Sequence, residues 1–179
     1  SVNNMMKKFA EKGWVIYESY KPLKITVAGK KQAALVVRKH RLTEMFLVEK
    51  MNFGWENVHE IAEQLEHIHS ETFFDKMDEL LNYPKYDPHG EPIPDKEGNI
   101  IAQDLKKLSN CKVGESVVFT AVTITDEDFL NFLNKNKLVL GKEIKVLNIE
   151  KFDKTMLVKI QEEEIVLSNI VCDKILVKQ

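Results

Sequence analysis

The hydrophobic rhythm of this chain changes partway along, and that change limits what it can fold into. Up to about residue 82, apolar residues recur at helical spacing. From about residue 116 they alternate with polar ones, as in half-buried strands. Between the two regimes, residues 83–107 hold Pro84, Pro88, Pro92, Pro94, Gly90 and Gly98. Such a stretch breaks both helix and strand and reads as a linker. The expected class is α+β, with helices first and a strand-rich unit after.

The strand-like runs are Ser116 to Val122, Glu143 to Leu147, Met156 to Ile160 and Lys174 to Val177. Their even spacing suggests a small β-barrel, interrupted by one short helix from Glu127 to Asn136. In the helical half, one long run extends from about Lys30 to Met51. A second is expected from Trp55 to His69. A third is capped by Ser70 and reaches about Asn82. The first ten residues read as an amphipathic helix with Val2, Met5, Met6 and Phe9 on one side, Ser1 as its N-cap and Gly13 as its stop. Two strand-like runs follow, Trp14 to Tyr17 and Leu23 to Val27. Helix then hairpin is the back half of a winged helix-turn-helix. The upstream half of that unit is expected to lie outside the 179 residues, which open directly on the helix.

Charge is distributed unevenly. Residues 1–41 carry ten basic residues and two acids, whereas residues 42–100 carry fourteen acids and four lysines. The overall value of −2 therefore conceals a basic head suited to a polyanion and an acidic middle. No apolar run approaches the roughly 18 residues of a membrane span, and no signal peptide is recognisable. Two cysteines, Cys111 and Cys172, make a disulfide framework improbable and suit a reducing cytoplasm.

Four of the five histidines fall between positions 40 and 69. On the second helix, His59, Glu63, Glu66 and His67 fall within a sector of about 100°, opposite Ile61, Ala62, Leu65 and Ile68. His40 and Glu44 form a further i, i+4 pair on the first helix. Six nitrogen and oxygen donors on two neighbouring helices can hold one or two divalent ions. Without cysteine among them they favour Mn2+ or Fe2+, while Zn2+, Co2+ or Ni2+ can substitute. His69 lies off this face, and His89 is expected to be structural.

Three motifs then carry a resemblance. Arg38-Lys39-His40-Arg41-Leu42, the run Val58-His59-Glu60-Ile61-Ala62-Glu63-Gln64-Leu65-Glu66-His67, and Asp87-Pro88-His89-Gly90-Glu91-Pro92-Ile93-Pro94 follow one another in that order. Together they resemble the diphtheria toxin repressor family, metal-dependent bacterial repressors of iron and manganese uptake. The tail from Leu108 is similar to that family's SH3-like domain, also found in ferrous-iron transport proteins (FeoA-like).

The resemblance implies four segments. Residues 1–29 are the end of a winged helix-turn-helix, and residues 30–83 a helical metal-binding and dimerisation domain. Residues 84–107 are a linker, and residues 108–179 an SH3-like barrel. It also implies a primary metal site at Glu63, Glu66 and His67 and an ancillary site at His40, Glu44 and His59. Asp126 or Asp128 could lend a further ligand from the barrel. Glu63 stands where iron-sensing members have cysteine, which leans towards manganese.

Ser1 to Ala10 matches the recognition helix. Asn4 would face a base edge, flanked by Ser1 and Asn3. Lys7 and Lys8 would meet phosphates, and Tyr20 and Lys21 sit at the wing tip. The expected function is a metal-activated repressor. It would act as a cytoplasmic homodimer on palindromic double-stranded DNA, with no catalytic residue and no membrane partner. Two alternatives remain at this level. One is a metalloenzyme with a di-iron-type site, for which Glu56-x-x-His59 and Glu66-x-x-His69 are weak signals. The other is an interaction module built on the barrel.

Overall fold

The computed structural model of the protein describes residues 2–18 and 21–179. The expectations placed on Ser1 and Tyr20 lie outside the described residues. In chain order, helix α1 (Val2–Glu11) leads into a two-stranded hairpin, β1 (Val15–Ile16) and β2 (Lys24–Ile25). Next come the long helix α2 (Val27–Met51), one 3-10 turn (Trp55–Asn57), α3 (His59–Leu65) and α4 (Glu71–Leu80). The remainder is β3 (Lys106–Lys107), β4 (Ser116–Val122), α5 (Glu127–Lys135), β5 (Glu143–Ile149), β6 (Met156–Ile160), β7 (Glu163–Leu167), α6 (Asn169–Cys172) and β8 (Ile175–Lys178). The class is α+β, as expected.

The hairpin is shorter than its apolar residues suggest, because Thr26 leaves it to start α2. Its Oγ1 accepts from the Gly29 amide at 3.0 Å and approaches the Gly13 carbonyl at 2.6 Å. A Cβ on Gly29 would stand 2.0 Å from the Trp14 carbonyl oxygen, so only glycine lets α2 pass this close.

The expected helix from Trp55 to His69 is broken instead. It opens as a 3-10 turn, and α3 stops at Leu65 with Glu66 as its C-cap. The reason is geometric. Ser70 caps α4 through the Phe73 amide, so a helix reaching His69 would leave no residues for the turn between the two. Leu42 of α2 packs against Phe74 and Met77 of α4 and against Ile93, forming the helical core.

Ile93 belongs to the stretch read as a linker, which is bound tightly to the helices. Tyr86 bridges Pro92 antiparallel. Arg38 donates to the Pro94 carbonyl at 2.8 Å and pairs with buried Asp78 at 2.5 Å. Proline and glycine here shape a strap that covers α2, because buried backbone carbonyls need the donors that Arg38 and Arg41 supply.

The second unit is one six-stranded antiparallel sheet in the order β3-β8-β4-β5-β6-β7. Among the described residues, it does not close into the expected barrel. β3 pairs only with β8 and β7 only with β6, leaving both as edges. Register shifts at Phe119/Ala121 and Val146/Asn148 bend the sheet. Leu130 and Leu133 of α5 are fully buried in the core lined by Phe119, Ile144 and Ile175, so a helix fills the concave side. Strand β7 escaped the alternation pattern because Glu162 to Glu164 mask it; of its residues only Leu167 is buried. No described helix is long and apolar enough to cross a membrane.

Candidate metal centre

Helix α2 carries His40 and Glu44 one turn apart, and the start of α3 brings His59 beside them. His40 Nε2 lies 3.0 Å from Glu44 Oε1 and 3.1 Å from His59 Nδ1. Its Nδ1 lies 2.7 Å from Glu66 Oε2, and His59 Nδ1 lies 3.2 Å from Glu44 Oε1. Glu66, the C-cap of α3, keeps helical dihedrals (φ −60°, ψ −20°), so its carboxylate lies on the helical path that faces His40. Glu63 and His67 are exposed and belong to neither cluster described here.

Glu44 has a second, interior side. His89 Nδ1 stands 3.5 Å from Glu44 Oε2, and the His89 side chain is only 1% exposed. The other nitrogen, Nε2, donates to the Trp55 carbonyl at 2.8 Å, and the ring stacks on Trp55. That leaves Nδ1 as a buried polar atom without a hydrogen-bond partner. Asp87 completes a second group, with candidate ligand atoms of Glu44, Asp87 and His89 all within 4.8 Å of one another. Neither Asp87 nor His89 had been singled out as a ligand from sequence. The available signal was the Asp-Pro-His-Gly turn, in which Gly90 takes φ +87° and presents both side chains to α2.

The charges are mutually adjusted. Burial alone would raise the Glu44 carboxyl. The hydrogen bond from His40 and the attraction of the His89 imidazole 3.5 Å away overcome it and hold the group down at about 2. Asp87 is pushed up to about 6, chiefly by burial and then by the neighbouring Glu44 charge. Burial opposes charge on His40 and His89, yet their carboxylate partners leave both imidazoles raised. Carboxylates crowded with proton-holding imidazoles are what a cation site looks like when protons take the cation's place.

The donor set fits a divalent ion. It offers carboxylate oxygens for charge and imidazole nitrogens for direction, and includes the unpartnered Nδ1 of His89. Cys111 and Cys172 are buried in the sheet core and free, so no thiolate contributes. Harder ions such as Mn2+ and Fe2+ suit these donors.

A cavity of about 350 Å3 opens onto this centre, lined by His40, Glu44, His59, Glu66 and His89 and by Thr123 to Thr125 of the β4–α5 loop. Asp126 follows directly, but its Oδ1 caps α5 through the Phe129 amide at 3.0 Å; Asp128 is exposed. The centre lies on the seam between the two units. The His89 carbonyl accepts from the Val122 amide, and Trp55 Nε1 donates to Asn134 Oδ1 at 2.8 Å.

At the other end of the molecule, α1 has no buried residue. Asn4, Lys7 and Lys8 are exposed, while Asn3 Oδ1 accepts from the Tyr17 hydroxyl at 3.1 Å.

Similarity to known proteins extends over both units. The family model described as "Iron dependent repressor, metal binding and dimerisation domain" matches residues 26–95, and the FeoA domain matches residues 106–179. The iron-dependent repressor IdeR of Mycobacterium leprae is 34% identical over 94 residues. That alignment covers 52% of this chain, which spans about two fifths (41%) of the length of that curated relative. A solved manganese-dependent transcriptional repressor in complex with manganese superposes with a TM-score of 0.86 at 29% identity, covering 98% of this chain and 82% of that one. The structure of ScaR with bound Cd2+ gives a TM-score of 0.77 at 33% identity, covering 99% and 84%. Sharing a third of its residues with ScaR over nearly its whole length, and matching the repressor and FeoA models in series, the chain belongs to the diphtheria toxin repressor family of metal-dependent transcriptional repressors.

Proposed function

We propose that this protein is a transcriptional repressor for manganese or iron homeostasis, with the metal as co-repressor on a homodimer. The observation that carries the reading is Glu44. It is buried, and each carboxylate oxygen is turned towards a separate set of imidazole and carboxylate donors. His40, Glu44 and His59 form the outer half of the centre. Asp87 and His89 form the inner half, with Glu44 shared. Glu66 supports His40, and Glu63 and His67 remain candidates for a primary site completed by another part of the protein.

When bound, the divalent ion supplies the positive charge that ties helix, strap and loop together. The chain's own residues then carry the consequence. Glu44 fixes α2, His89 links the strap to Trp55 and Val122, and Trp55 reaches α5 through Asn134. Metal favours DNA binding only to the extent that it prefers the DNA-competent arrangement.

The finer architecture is part of the same reading. Residues 1–29 form the end of a winged helix-turn-helix, 30–83 the metal-binding and dimerisation domain, 84–107 the connecting strap and 108–179 an SH3-like unit. α1 would enter the major groove of a palindromic operator. Ser1, Asn3 and Asn4 would lie near base edges, and Lys7 and Lys8 near phosphates. Asn4 is the exposed amide best placed for that, since Asn3 is engaged by Tyr17. Such a protein works in the cytoplasm. The relatives named above are repressors, and no observation favours the metalloenzyme alternative.

The test is selection of binding sites from a random-sequence duplex library, in parallel with Mn2+ and with a chelator. An inverted repeat enriched only with Mn2+ is expected. Equal enrichment in both arms would refute metal activation.

A further inference from the structure

Arg41 follows His40 on α2, and its side chain is only 16% exposed. Its Nη1 donates to the Pro92 carbonyl at 2.6 Å and its Nη2 to Glu91 Oε2 at 2.7 Å. These anchors hold the guanidinium with Nε 3.5 Å from Asp87 Oδ2. The other oxygen, Asp87 Oδ1, accepts from the backbone amides of His89 at 2.8 Å and Glu91 at 2.9 Å. Oδ2 is therefore the oxygen left for a cation, and a permanent cation already stands over it. A guanidinium does not lose its proton in a protein, so this charge does not leave when metal arrives.

We infer that Arg41 is a resident competitor for Asp87 Oδ2 and that it weakens metal binding, setting the concentration at which the centre fills. The inference rests on the proposal that Glu44, Asp87 and His89 hold a divalent ion. A sensor has a use for such a brake. Crowded carboxylates and imidazoles with no opposing charge would stay filled at every metal level and could report nothing. Arg41 offsets part of that attraction with like-charge repulsion at close range.

The sign separates this role from a structural one. Were Arg41 only a clamp on the strap, its loss would let Asp87 and His89 drift from Glu44, and metal would bind more weakly. As a competitor, its loss makes metal bind more tightly.

The experiment is calorimetric titration of MnCl2 into the metal-stripped protein at pH 7.5, using wild type, Arg41→Gln, Arg41→Met and Arg41→Lys. Gln and Met remove the charge while keeping a side chain over the strap; Lys keeps the charge. Mn2+ affinity is expected to rise on the order of tenfold in Arg41→Gln or Arg41→Met, with Arg41→Lys closer to wild type. Thermal unfolding supplies a second readout. The metal-free Gln and Met variants unfold at lower temperature than wild type, having lost two strap anchors, yet gain more from added Mn2+. Equal or weaker Mn2+ binding by both neutral variants would overturn the inference. Failure of the wild type itself to bind Mn2+ would instead overturn the reading of the centre.

Discussion

Asp87→Asn should stabilise the metal-free protein at neutral pH while impairing its response to metal. Burial, reinforced by the Glu44 charge, pushes the Asp87 carboxyl from 3.8 up to about 6. The folded state therefore holds this proton more tightly than the unfolded chain does. Stability from this group is fully present below the unfolded value and is lost as pH rises through about 6. The difference of roughly two pKa units corresponds to about 3 kcal/mol of strain at pH 7.5. Asparagine removes that strain. Its amide oxygen can still accept from the backbone amides of His89 and Glu91, so the turn keeps its bonds.

The expected gain, read by urea unfolding at pH 7.5 in EDTA, is about 1–3 kcal/mol, because the new amide meets Arg41 less well than the carboxylate does. At pH 5, between the unfolded and folded values, the gain should fall to about half, and it should vanish only below 3.8. Added Mn2+ should reverse the ranking, stabilising wild type far more than the variant. If Asp87→Asn lost stability at pH 7.5 in EDTA, or if Mn2+ stabilised both proteins equally, the account of a strained carboxylate kept for metal would be wrong.

Three further outcomes are expected. Glu44→Gln removes the ligand shared by both halves of the centre and should cost on the order of 100-fold or more in Mn2+ affinity by calorimetry. Because Glu44 is held at about 2, its own contribution to the metal-free fold is present above about 4.5 and is lost as pH falls towards 2, which acid titrations of wild type and variant can compare. Gly90→Ala should destabilise the protein by more than about 2 kcal/mol in urea unfolding. Its φ is +87°, and the new Cβ would stand 2.1 Å from the Thr120 carbonyl oxygen. Asn134→Ala should cost about 1–2 kcal/mol, because it leaves the Trp55 indole N–H without its partner across the seam. It should also shrink the change in Trp55 fluorescence that Mn2+ produces.

Much of the molecule is legible in its residues alone. Binary patterning places α2, α4, α5, β4 and β6 within a few residues of where they form, since each element buries one periodic face. Three histidine and glutamate positions on α2 and α3, His40, Glu44 and His59, are brought together because i, i+4 spacing and short connections leave little freedom. Periodicity misled where an element ended for tertiary reasons. The helical pattern runs on to His69, but the chain must turn to deliver α4, so the helix ends at Glu66, still in helical geometry, and His67 is exposed. The consecutive glutamates that open β7, Glu163 and Glu164, hid a strand that exists because β6 offers it an edge.

By itself, the sequence determined the two regimes of secondary structure, the order of the units, the basic head and acidic middle, and the hard-donor character of the metal ligands. These are properties of residue type and local spacing. Only the tertiary structure decided which donors meet. Asp87 and His89 lie more than forty residues from Glu44 in sequence, inside a proline-rich strap whose composition reads as a linker. They become ligand candidates because Arg38 and Arg41 bind the strap's carbonyls and draw it across α2, burying the Asp87 carboxylate beside Glu44 together with a His89 nitrogen that has no hydrogen-bond partner. Long-range closure of that kind depends on which surfaces pack, and no periodicity along the chain encodes it.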